Sequence, residues 1–138
     1  MNQNDFQQLA DIRVKEAKIF LDNQYFEGAY SLLGYVVECA LKSCISKQFK
    51  EQDFPYHQTI IDFNTHSFPK LLRIAALEQN MQNDWQILPK LQSNWITVTE
   101  WSEQVRYQHN ITQVMAQELY DAVTENQTGI LSWLKNFM

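Results

Sequence analysis

The side chains best suited to chemistry stand in one short run, Arg106-Tyr107-Gln108-His109. Arginine offers a planar fork of donors that fits a phosphate, and histidine changes charge near neutral pH, as general acid–base work requires. A tyrosine between them can stack on a nucleobase. The plain alternative is a solvated junction before the last helix, with Tyr107 packed inward. A second group, Ser31, Tyr35, Glu38 and Lys42, is spaced i, i+4, i+7 and i+11, which puts all four on one face of a helix. Glu38 and Lys42 have the favourable i, i+4 order, acid before base. This strip either lines a pocket or forms the polar seam of an otherwise apolar helix. Arg13 falls near the centre of another apolar face, where an unpaired guanidinium would cost several kcal/mol. Glu38 is its natural partner, either as a tie between two helices or as part of a charged cleft wall.

Other chemistries are poorly supplied. His57 and His66 lie nine residues apart with Asp62 between them, a spacing unspecific for a metal, and His66 fits the start of the third helix better. Cys39 and Cys44 are separated by about 500° of helical rotation, which points them to different faces and disfavours a mutual disulfide. They read as two small buried apolar residues. There is no glycine-rich phosphate loop, no Ser/His/Asp order and no paired-acid motif, so nothing calls for a cofactor or a metal.

The elements that must position these groups are helical. The chain has 138 residues with 45% hydrophobic and 13% aromatic content, enough to fill the core of one domain over 1–138. Three glycines and three prolines are too few for a turn-rich β sandwich or barrel. A net charge of −5 argues against a general nucleic-acid coat protein while leaving room for a local basic cleft. The N-terminus is too polar for a signal peptide and no apolar run reaches 18 residues, so a membrane partner is not expected and a cytoplasmic location is.

Phe6, Leu9, Ala10, Val14, Ala17, Phe20 and Leu21 follow helical spacing in a first helix, with Asp5 as its cap or in its first turn, ending at Asp22-Asn23-Gln24. A second helix from about Tyr25 to Phe49 is apolar around most of its circumference and belongs in the middle of the domain or against a partner subunit. Residues 50–67 read as a long loop. A third helix follows Pro69, carries Leu71, Leu72, Ala75 and Ala76 inward and ends by Asn80. A fourth starts near Asp84 or Pro89 and buries Leu88, Leu91, Trp95 and Val98. Thr112 caps a last helix with Met115, Ala116, Leu119, Tyr120, Val123, Ile130, Leu131 and Leu134 on one side, bent or frayed at Gly129. The fold expected is all-α, a single up-and-down bundle of about five helices.

The stretch from Tyr25 to Lys42, with its Gly34-Tyr35 step and its Glu38-Cys39-Ala40-Leu41-Lys42 ending, resembles the central helix of the HEPN domain family. His66-Ser67-Phe68-Pro69-Lys70-Leu71-Leu72 is similar to the family's lead into the third helix, with Ser67 in place of an acid. Arg106-Tyr107 resembles a pair found before the last helix in one branch. The resemblance extends over about residues 5 to 135. It implies a compact bundle that forms a homodimer, is associated with nucleotides or RNA and, in many members, is an RNA-cleaving toxin paired with a nucleotidyltransferase antitoxin. Those RNases carry a His after an Arg and four to six intervening residues. Here the corresponding positions hold Ile111, Thr112 and Gln113, and His109 follows Arg106 after only two.

Without that His, the proton of a ribose 2′-hydroxyl has no general base in the usual place, although Arg106 could still stabilise a phosphorane. The expectation is therefore a dimeric HEPN-like protein that binds a nucleotide, RNA or a protein partner without standard RNase activity. Arg106, Tyr107 and Lys42 would hold the ligand, with His109 in support and Arg13, Glu38 and Tyr35 as structural polar residues. The alternatives are a divergent metal-independent endoribonuclease using Arg106 and His109 as catalytic groups, and a pure dimerisation module built on the apolar second helix.

Overall fold

A computed structural model describes residues 2–51, 65–102 and 110–138, with side chains described for all but 49–51. Arg106, Tyr107 and His109, like His57 and Asp62, lie outside the described residues. Within them the protein is all-α: α1 (Gln3–Asp22), α2 (Phe26–Glu51), α3 (Phe68–Ile74), α4 (Glu78–Ile87), α5 (Pro89–Thr99), α6 (Gln113–Thr124), α7 (Ile130–Leu134) and a terminal 3-10 turn at Lys135–Phe137. No described helix is long and apolar enough to cross a membrane.

Asn2 caps α1. Its side chain accepts from the Asp5 N–H at 2.9 Å while the Asp5 carboxylate accepts from the Asn2 N–H at 3.0 Å, a reciprocal box that places Asp5 in the first turn. At the other end the Tyr25 N–H reaches the Phe20 carbonyl and the Gln24 N–H reaches that of Leu21, the double bond of a Schellman stop. Gln24 takes the left-handed conformation this requires, at φ 67°. The chain then doubles back. Phe20 lies over Gly28 at the turn and the Ser43 hydroxyl donates to the Gln3 carbonyl at the far end, so α1 and α2 run antiparallel.

The second helix is central. Leu33, Val36, Val37, Ala40, Leu41 and Ile45 have no solvent exposure, because α1, α3, α6 and α7 cover it from different sides. Cys39 and Cys44 are buried and free, on different faces as their spacing demands.

The expected five helices become seven in the described residues, for two local reasons. The third helix does not run on to Asn80. It stops at Ala75 in a second Schellman motif, with the Leu77 N–H on the Leu72 carbonyl, the Ala76 N–H on that of Arg73, and Ala76 left-handed at φ 57°. Ala76 is consequently exposed rather than inward. The last helix is likewise divided, at Glu125–Gly129. A Cβ on Gly129 would stand 2.5 Å from the Glu125 nitrogen and oxygen, so only glycine permits this tight passage. The buried Asn94 fixes the turn by donating to the Glu125 carboxylate and the Thr128 carbonyl, both at 2.9 Å.

Thr112 caps α6 as expected, accepting from the Met115 N–H at 3.2 Å. Met115 does not turn inward, however; it is 38% exposed, and Ile111 just before the cap is buried instead. Phe20 is also more exposed than its spacing suggested and packs edge-on to Tyr25, while Leu88 is only half-buried.

Candidate functional site

The line Gly34, Glu38, Lys42 runs along α2 at four-residue steps and faces the start of α3 and the end of α5. Where Gly34 has no side chain, the indole of Trp101 occupies the space; a Cβ there would lie 1.9 Å from the ring. The indole N–H donates to the Tyr30 carbonyl at 3.0 Å, and the ring stacks on Phe68 at 5.4 Å between centroids. Gly34 therefore admits the residue that fixes the end of the fifth helix. Phe68 opens α3, with Ser67 as its cap accepting from the Lys70 N–H. Trp101 and Phe68 together hold two otherwise separate chain passages against one side of the central helix.

One turn further along α2 is the carboxylate of Glu38, only 7% exposed. A buried ionised carboxylate is costly unless paired and hydrogen-bonded. Here it meets two partners: the Lys42 ammonium at 3.4 Å and the His66 Nδ1 at 2.5 Å. Lys42 is nearly as buried as Glu38, while the His66 side chain is half exposed. His66 comes from the residue just before the α3 cap, so its hydrogen bond to Glu38 ties the central helix to the passage leading into α3.

Tyr35 stands at the rim, 39% exposed and close enough to the Cys39 thiol for the two to act on each other. Burial raises the tyrosine's pKa, reinforced by Cys39 and by the charge of Glu38, with Arg13 opposing. The Cys39 thiol is raised by burial too, although Tyr35, Lys42 and Arg13 work the other way. A thiol held protonated is no nucleophile at neutral pH, so Cys39 belongs to the packing.

Arg13 is near enough for its charge to act on Tyr35 and Cys39, but its carboxylate is not Glu38. It pairs with Glu16, one turn along its own helix, and its side chain is about one-third exposed. The physical reason is that Glu38 is already occupied by Lys42 and His66, and a partly exposed arginine reaches a local acid at little cost.

Of the residues singled out from sequence, Tyr35, Glu38 and Lys42 thus lie together, Arg13 borders them, and His66 joins them by a contact that neither periodicity nor spacing could supply. Trp101 was missed as the anchor; its only signal was the Gly34-Tyr35 step, which marks a place where something approaches the helix closely. No family model, curated protein or solved structure matches this chain. Among the described residues no cluster of three or more His, Cys, Asp or Glu could hold a metal. What the corner offers is a fixed carboxylate with a lysine and a histidine oriented on it, a hydrogen-bonding surface rather than a metal or nucleophile site.

Proposed function

We propose that the chain is a HEPN-like helical protein that binds a nucleotide or RNA at the corner of Tyr35, Glu38, Lys42 and His66. In this reading Arg106 and Tyr107 complete the site and the standard RNase activity is absent. The observation that supports it most is Glu38: a buried carboxylate on the central helix that fixes a largely buried lysine and a half-exposed histidine side by side. An ammonium carries three N–H donors, so a lysine held by Glu38 can also donate to a phosphate oxygen. Glu38 cancels one positive charge, and Arg106, five residues beyond the anchored Trp101 in sequence, would turn the balance positive. Arg106 would grip phosphate through its fork and Tyr107 would stack on the base. His109 plays a supporting part.

Self-association and a cytoplasmic location belong to the same proposal, with a nucleotidyltransferase antitoxin as the partner the resemblance implies. Exposed Ile12, Ile87 and Val114 supply apolar surface for such contacts.

The test is fluorescence anisotropy of the full-length protein with a labelled single-stranded oligoribonucleotide. Arg106→Ala should weaken binding at least tenfold and Lys42→Met several-fold, while the RNA stays intact. Unchanged affinity in Arg106→Ala would refute the assignment. RNA decay and growth arrest that disappear in His109→Ala would favour the endoribonuclease, and failure to bind any nucleotide would favour the dimerisation module. Light scattering showing only monomer at micromolar concentration would remove the dimer.

A further inference from the structure

A concavity lies between α1, α6 and α7. It has a volume of about 420 Å³, within the range of roughly 300–1,000 Å³ usual for small-ligand sites. Its floor and lip are apolar, formed by Val14, Ile19, Leu131 and the ring of Tyr120. Ile19 is 59% exposed, a large aliphatic side chain left in water at the mouth.

The charges that line it have one sign. Lys15, Lys18 and Lys135 all line the cavity and no acidic residue does, in a chain that carries 16 acids against 11 bases. Two of the lysines are braced from outside: Lys18 by Asp22 at 2.9 Å and Lys135 by Asp11 at 2.9 Å. Lys18 also stands over the Tyr120 ring, 5.4 Å from its centroid. Exposed ion pairs of this kind contribute little and are readily shared with an incoming anion. Asp22 and Asp11 thus orient the ammonium groups without closing the mouth. Thr124 spends its hydroxyl proton on the Tyr120 carbonyl, and Ser132 and Tyr120 are the other hydroxyl-bearing residues that line the space.

We infer that this cavity binds an amphipathic organic anion, a carboxylate on an apolar tail of medium length. The tail lies along Val14, Leu131 and Tyr120, and the head group is held by Lys15, Lys18 and Lys135. Charge complementarity selects the class. A neutral tail would gain nothing from the ammonium groups that line the mouth, and a cation would meet those ammonium groups before the carboxylates that stand outside it. The site shares no residue with the Glu38 corner, so it stands or falls separately.

The test is calorimetric titration of the full-length protein with decanoate below its micellar concentration, with decanol and decyltrimethylammonium as comparison probes. Decanoate should saturate one site per chain, and each comparison probe should bind at least tenfold more weakly. The exposed double variant Lys15→Gln/Lys135→Gln, checked for an unchanged helical circular dichroism spectrum, should lose at least tenfold in decanoate affinity. Absence of saturable decanoate binding, equal binding of decyltrimethylammonium, or a double variant that binds like the wild type would each overturn the proposal.

Discussion

The central helix and the groove beside α1, α6 and α7 use charge in opposite ways. On α2 a single carboxylate is taken out of water and satisfied by Lys42 and His66, so its charges are part of the fold. At the groove the lysines stand at the surface, paired loosely with Asp11 and Asp22. The lesson is that burial, not the number of ion pairs, decides how much of the fold depends on a charge, whatever that charge also offers a ligand.

The comparison can be broken most severely at Glu38. Glu38→Ala leaves Lys42 largely buried without its carboxylate and should cost about 3 kcal/mol, read by urea unfolding. A change below the error of that measurement would mean the corner is as loosely held as the surface pairs. Gly34→Ala comes next. The new methyl must displace the Trp101 ring and its bond to Tyr30, and a loss of about 2 kcal/mol is expected, with a shift in tryptophan emission.

A third test uses pH. Burial pushes the Cys44 thiol up to about 12 from an ordinary value of 9.0. Below pH 9 the thiol is protonated both folded and unfolded, so it contributes no slope. Between 9 and 12 only the unfolded chain releases the proton, and stability should fall by up to about 1.4 kcal/mol per pH unit. Cys44→Ala should flatten that part of the profile, and an unaltered slope would show that the thiol does not titrate as its burial requires.

Ala76→Gly works in the other direction. It relieves a left-handed alanine at the end of α3 and should raise stability by about 0.5–1 kcal/mol in thermal unfolding. The smallest effect belongs to the groove. Lys15→Gln should move stability by less than about 0.5 kcal/mol. A larger loss would mean that the groove's charges also hold the fold.

Helix class, the all-round burial of α2 and the Thr112 cap were legible because apolar spacing and capping residues act locally. The early stop of the third helix was not: Ala76 ends it in a Schellman motif without the glycine that usually announces one, whereas the polar run at Asp22-Asn23-Gln24 and the glycine at 129 marked the other two breaks. Met115 was misplaced because Ile111, lying before the cap, takes the buried position at the start of α6. The strip Tyr35, Glu38, Lys42 was readable from helical phase alone. Its partner His66 was not, since that contact joins residues 28 apart through the docking of α3. Arg13 shows the converse: periodicity placed it near the seam, but competition for Glu38 sent it to Glu16.

The most direct measurement of the proposed site is histidine-ring NMR of the full-length protein titrated with a short single-stranded oligoribonucleotide, with His66→Gln to assign the signal. The account predicts a saturable shift of the His66 resonance whose midpoint matches the binding isotherm and which is abolished in Arg106→Ala. Saturable RNA binding that leaves His66 unmoved would contradict it.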